Sequence, residues 1–403
     1  MFEKKQRQRI LFLGLSVVFL LTWLWRFWSV NNKSQEKFIN VEGIIWDEPN
    51  IFYSVQRFWL KGYLIETSTN RNLSPGDRVL ISGNQECQLI GKYQKRCSIN
   101  YPDISVKKDN IWSTFIRITL KLRTSLIASL ERLLPSEPAS LLTGVVWGNQ
   151  GQFSKRFYDD MRASGLLHVV VASGANVLSL VMLLKKTGRF LGRQLVITFS
   201  LPVIVIYGFI VGNDPPIVRA VLMSGLVLVS QLVGRPINSF RNLFLAGEAM
   251  MIVDPLIFLD VGFQLSFGAS LGILLFNQRF KKIFRWSDLA TTLAAQTMTT
   301  PLLALHFNSF SPFSFLSNAC LLWLIEPLML WGLGLTFLGL ISQSLAGLLA
   351  LFFWPPLQVF IWGGHFWAQT LFSISVSERM ALISLIIVPL AWFLLKISNK
   401  TDE

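Results

Sequence analysis

A succession of long apolar runs constrains this chain more than any other feature. They cover residues 10–28, 195–211, 217–233, 289–305, 313–340, 345–371 and 381–395, and Asp254-Pro255 interrupts a further run over 243–276. A helix needs ~20 apolar residues to cross the ~30 Å hydrocarbon layer of a bilayer, so the runs predict a polytopic all-α helical bundle in a membrane. Composition agrees: 52% of the residues are hydrophobic and 15% charged, and mean hydropathy is +0.48. Proline interrupts several runs, at Pro215-Pro216, Pro255, Pro301, Pro327 and Pro355-Pro356. The backbone groups it frees are tolerated in lipid only inside the protein or along an aqueous path. Broken or re-entrant helices enclosing a polar route are therefore expected.

The formal net charge of +14 is mostly a topology signal. Fourteen Lys and Arg form four clusters: Lys4, Lys5, Arg7, Arg9; Lys185, Lys186, Arg189, Arg193; Arg235, Arg241; Arg279, Lys281, Lys282, Arg285. Placing all four on the cytoplasmic side gives an alternating topology under the positive-inside rule. The N-terminus is then inside and residues 31–164 are outside. Residues 1–30 read as an uncleaved membrane anchor flanked by Trp23, Trp25 and Trp28, without a convincing signal-peptide cleavage site.

Residues 31–110 differ in composition. Alternating apolar positions over 41–46 and 57–66, and a turn signal at Ser74-Pro-Gly-Asp77, predict a small exported β-barrel of five strands, OB-type. Eleven basic and nine acidic residues nearly cancel there, so no phosphate-binding groove is evident. Trp46, Tyr53, Phe58, Trp59 and Tyr63 are candidates for base stacking, worth ~1–3 kcal/mol per base. Half the aromatics of alternating strands must face inward, so each is equally a candidate for the core. Cys87 and Cys97 flank a Gly91-containing turn; outside the cytoplasm they can form a disulfide or remain two thiols, since spacing alone does not fix the Cα separation. Residues 111–164 read as interfacial or re-entrant helices, 165–397 as the polytopic membrane domain, and 398–403 as a short cytoplasmic tail.

The chemistry concentrates in residues 165–178, where His168, Ser173, Gly174 and Asn176 stand in a segment apolar enough to enter a bilayer. Asp214 and Arg219 open a later crossing five positions apart, which suits an ion pair. Asp260 and Gln264 lie at i, i+4 on one helical face, with Ser266 beside them. Ser173 with His306 or His365 suggests an intramembrane serine protease, although Val171 replaces the glycine common two positions before such a serine. A small-solute permease is the other alternative, without the inverted repeats such proteins often show.

The order of these residues resembles the ComEC family of competence proteins. The resemblance rests on His168-Val-Val-Val-Ala-Ser-Gly174 after Thr143-Gly144, Pro216-Ile-Val-Arg219, Gly234-Arg235-Pro236, Asp254-Pro255, Asp260-Val-Gly-Phe-Gln264-Leu-Ser266, and Gln296 through Pro301 to His306. The chain departs from it at Gly174-Ala-Asn176, where the family commonly has Gly-Leu-His, and in its single N-terminal crossing. The resemblance implies an inner-membrane channel translocating single-stranded DNA during natural transformation. It also implies a DNA receptor, a separate nuclease, a cytoplasmic helicase-type motor and self-association as partners to seek. In such a channel Ser173, Asn176, Gln264 and Gln296 would solvate the phosphate chain, and Arg219 would contact it. The family's metallo-β-lactamase-like domain is not expected, because His168, His306 and His365 cannot supply its metal ligands. No nucleotide-binding loop, cofactor, metal or catalytic set is expected either.

Overall fold

A computed structural model gives the fold of residues 19–24, 38–45, 50–52, 55–60, 63–68, 73–90, 94–108, 110–149, 153–170, 173–186, 188, 192–212, 214–235, 237–307, 309–311, 313–370 and 374–375. The run at 381–395, the tail at 398–403 and most of the N-terminal anchor lie outside them. The chain divides into two units: 1–124 with 251–259, and 125–250 with 260–403.

In the first unit, alternation along each strand buries one face. Ile39 and Val41 are buried on β1 (Phe38–Ile44). Phe58 and Leu60 are buried on β3 (Val55–Leu60), as are Ile65 on β4 (Tyr63–Ser68) and Val79 and Ile81 on β5 (Arg78–Ile90). With β2 (Asn50–Phe52), β6 (Gln94–Asn100) and β7 (Asp103–Val106), they make a seven-stranded sheet in the order β1-β5-β6-β4-β3-β2, with β7 also on β5. The β4–β6 pair is parallel and the other ladders are antiparallel. The expected closed five-stranded barrel is not what is seen: closure needs a ladder between the end strands. Among the described residues β2 is only three residues long and pairs with β3 alone. The register sets Cys87 opposite Cys97, and Cys97 is disulfide-bonded.

Four cations on or beside this sheet pair with its acids. Arg57 pairs with Glu66 at 2.8 Å, Arg117 with Asp77 at 3.1 Å, and Arg78 and Lys107 both bind Glu42 at 2.5 and 3.3 Å. The bonds from Arg78 and then Lys107 hold the Glu42 carboxyl below its ordinary range.

The second unit is helical. The unit boundary falls within α1 (Ile111–Glu131). Then come α2 (Ser136–Trp147), α3 (Lys155–Ala163), α4 (Leu167–Val170), α5 (Gly174–Lys186), α6 (Arg193–Val211), α7 (Pro215–Leu232), α8 (Ser239–Val253), α9 (Val261–Ile283), α10 (Ser287–Phe307), α11 (Ser314–Leu321), α12 (Ile325–Ile341) and α13 (Gln343–Thr370). A two-stranded ladder of Ser309–Phe310 and Ile374–Ser375 adds to them. Four helices among the described residues are long and apolar enough to cross a membrane: Arg193–Val211, Pro215–Leu232, Ser314–Ile341 and Gln343–Thr370. The interrupted run at 243–276 resolves into α8, whose 15 residues span only ~22 Å, and α9. α9 and α10 carry Gln264, Ser266, Ser270 and Gln296, and neither is among those four. Two of the expected proline breaks are absent, because Pro301 lies inside α10 and Pro355-Pro356 inside α13.

α2 is enclosed by the protein: residues 138–147 are all buried. Its end therefore sits where water cannot serve its last carbonyls. Gly148 at φ +70° turns the chain and donates to the Gly144 carbonyl, a left-handed cap that favours glycine. The carbonyls of Val145 and Val146 accept instead from side chains, Asn176 Nδ2 at 2.5 Å and Tyr207 Oη at 2.8 Å. Trp147 Nε1 donates to Thr336 Oγ1 at 3.2 Å and ties α2 to α12.

Two expectations follow for unfolding of the purified protein in detergent. Asn176→Leu keeps the volume but strips Val145 of its donor, lowering stability by about 1–3 kcal/mol; an unchanged midpoint contradicts the capping role. Gly272 on α9 faces α10, where an added Cβ would meet the Ala294 carbonyl oxygen and lie 3.2 Å from Met298 Cγ. Gly272→Ala should cost about 1–3 kcal/mol, while Gly334→Ala, with nothing within 4 Å of the added carbon, should cost nothing.

Candidate functional site

The segment at 165–178 is broken. α4 ends at Val170 and α5 starts at Gly174, with Ser173 between them. The start of α5 touches the start of α7: a Cβ built on Gly174 would lie 3.2 Å from Ala220 Cβ and 3.3 Å from Arg219 Nη2. The start of α9 reaches the same place, since a Cβ on Gly262 would lie 3.8 Å from Pro216 Cδ and 3.9 Å from Pro215 Cδ. Three helix N-termini therefore meet around Arg219. Proline suits the first turn of α7 because the missing N–H has no intrahelical acceptor there. α9 is capped by Asp260, whose Oδ1 accepts from the Phe263 amide at 2.8 Å.

Arg219 is 9% exposed. Its Nη1 donates to the Ser266 carbonyl oxygen and to Ser270 Oγ, fastening α7 to α9. The guanidinium thus turns to α9, where sequence spacing had suggested Asp214 as its partner. Among the described residues, Arg219 Nε and Ser266 Oγ are buried without a hydrogen-bond partner. Asp214 occupies the N-cap position of α7, and its side chain makes no capping bond.

The other expected residues distribute around this junction. Gln264 Oε1 lies 2.7 Å from His306 Nε2, joining α9 to the end of α10. Gln296 donates to Ser314 Oγ at 3.0 Å, on α11, and Pro301 is buried within α10. The His168 Nδ1 sits 2.9 Å from the Gly165 carbonyl. Asn176, 2% exposed, is occupied by α2: besides its bond to Val145 it accepts from Ser173 Oγ at 3.3 Å. It thus caps the end of α2 from inside the core. Among the described residues no hydrogen bond joins Ser173 to a histidine, for His306 is on Gln264 and His365 Nδ1 on Asp160 Oδ2 at 2.6 Å.

In the first unit, Phe58 is 3% exposed and belongs to the core, which corrects its candidacy for stacking. Tyr63 packs half-buried against that core. Trp46, Tyr53 and the side chain of Trp59 lie outside the described residues.

Sequence reasoning missed Tyr207 and Ser270. Ser270 had a signal, standing one helical turn after Ser266; Tyr207 was hidden in an apolar run whose hydroxyl partner lies 61 positions away.

Residues 145–400 match the family described as Competence protein. Over 227 residues the chain is 26% identical to ComE operon protein 3 of Bacillus subtilis (strain 168), covering 54% of this chain and 29% of that protein. Over 195 residues it is 34% identical to an uncharacterized protein of Aquifex aeolicus (strain VF5), covering 48% of this chain and 43% of that one. The match therefore spans less than half the length of either relative. No solved structure matches the chain. With the family matched over more than half of its residues, and with four helices able to cross a bilayer, the chain is a multi-pass membrane protein that belongs to the competence protein family.

Proposed function

We propose that this chain forms a channel that carries single-stranded DNA across the cytoplasmic membrane during natural transformation. The observation that supports it is the junction around Arg219. Each helix start carries about +0.5 of an elementary charge, which suits a phosphate, although α7 opens on two prolines without an N–H and Asp260 takes the Phe263 amide of α9. Arg219 adds a full charge, and its Nε and the Ser266 hydroxyl are two donors without acceptors. Asp214 and Asp260 offset part of that field. A moving polyanion needs this balance, since a contact must attract the phosphate yet release it. Arg219 Nε is closed off from solvent, so α7 and α9 must part for a phosphate to reach it.

In this reading the N-terminus is cytoplasmic, residues 31–164 are outside, and the mixed sheet is an OB-type module whose long β5 serves two groups of strands. The chain itself performs no catalysis; a DNA receptor, a separate nuclease and a helicase-type motor act beside it. Ser173, bonded to Asn176 and to no histidine, gives the protease alternative no support.

Uptake of labelled DNA in a host lacking its own channel tests the proposal, with membrane expression of each variant verified. Arg219→Ala should lower uptake at least about tenfold, equivalent to ~1.4 kcal/mol, and Ser173→Ala should leave most of it. Complete loss in Ser173→Ala with a membrane substrate left uncleaved would favour the protease. Normal uptake in Arg219→Ala would remove the phosphate-contact role.

A further inference from the structure

Between the ends of α5, α6 and α7 lies a cavity of about 360 Å³ lined by Lys185, Gly188, Arg193, Val196, Ile197 and Gln231. Its chemistry is divided. Lys185 and Arg193 supply two cations and Gln231 an amide, while Val196 and Ile197, 5% and 3% exposed, supply an apolar wall. No ion pair of either cation occurs among the described residues, and the sequence has no acidic residue over 161–213 or 215–247. Nothing on these helices neutralises the two charges.

The cavity's depth follows from the helices that form it. Arg193 is the first residue of α6 and Gln231 lies in the last turn of α7, and both helices are long and apolar enough to cross a membrane. The cavity is therefore at one boundary of the hydrocarbon layer. From it, exposed apolar side chains continue along both helices: Leu195 and Phe199 on α6, Val229 and Leu232 on α7. A site that is cationic at the boundary and apolar toward the membrane interior matches an amphiphile with an anionic head.

We propose that this cavity binds the phosphate headgroup of an anionic glycerophospholipid, with its acyl chains along the exposed faces of α6 and α7. Arg193 presents a planar fork suited to phosphate oxygens, and Lys185 a second point charge. Free phosphate would leave the apolar faces unused. A nucleic-acid strand would need a track of cations, and among the described residues two line this cavity.

Native mass spectrometry of the full chain in detergent tests this, with phosphatidylglycerol and phosphatidylcholine of identical acyl chains as probes. DNA transport does not enter the assay, so the result stands apart from the channel reading. Phosphatidylglycerol should be retained about tenfold over phosphatidylcholine, a difference of ~1.4 kcal/mol. Lys185→Gln with Arg193→Gln should abolish that preference, and Lys185→Arg with Arg193→Lys should keep it. Gly188→Leu leaves both charges but fills the cavity, because a Cβ at Gly188 points to Val196 Cγ2 at 3.8 Å; it should lose the lipid too, giving a second test if the charge variant misfolds. Arg241→Gln, outside the cavity, should bind as the unmodified protein does. Equal retention of the two lipids, equal loss in Arg241→Gln, or full retention in Gly188→Leu would overturn the proposal. So would displacement of the lipid by inorganic phosphate alone at the lipid's concentration, or by a short single-stranded oligonucleotide.

Discussion

A carbonyl buried in an apolar bundle must find a donor within the protein, because lipid offers none and the unpaired group costs several kcal/mol. The end of α2 puts this requirement at the centre of the second unit. Its residues 138–147 are wholly buried, so water cannot satisfy the last turn, and the donors come from α5 and α6. Asn176 and Tyr207 reach the Val145 and Val146 carbonyls from two different helices. Their bonds fix where α5 and α6 stand against α2. That placement in turn sets Gly174, two residues before Asn176, against Arg219.

The same requirement divides the polar residues into two kinds. Asn176 and Gln296 have partners that hold helices together. Arg219 does this with Nη1 but leaves Nε without an acceptor, beside the unpartnered Ser266 hydroxyl. Leaving donors unpaired in an apolar surrounding is expensive, so a group that retains them invites a functional reading. The convergence of three helix starts strengthens it, since their partial charges add to that of the guanidinium.

Much of the architecture was legible in the sequence. The apolar runs at 195–211, 217–233, 313–340 and 345–371 correspond to the four helices able to cross, and alternation over 41–46 and 57–66 falls on β1, β3 and β4. Proline was misleading where a helix continues through it, as at Pro355-Pro356, because a long packed helix tolerates the two missing donors. The barrel expectation failed for a topological reason: local alternation gives strands but says nothing of which edges pair. The site was legible as residue types and not as partners. Asn176 bonds across 31 positions and Arg219 across 47 and 51. No local spacing reports such pairs, which is why Asp214 looked like the partner of Arg219 and the bond from Asn176 to Val145 was not foreseen.

The clamp from Arg219 to α9 is the contact on which the junction rests, and a double-mutant cycle isolates it. Unfolding free energies in mixed micelles are needed for the original protein, Arg219→Met, Ser270→Ala and the double variant. If the guanidinium fastens α7 to α9 through Ser270, the two losses overlap, and the double variant is less destabilised than their sum by about 1–2 kcal/mol. Losses that add to within ~0.5 kcal/mol would mean that the two side chains do not interact in the folded bundle, and the junction described around Arg219 would be contradicted.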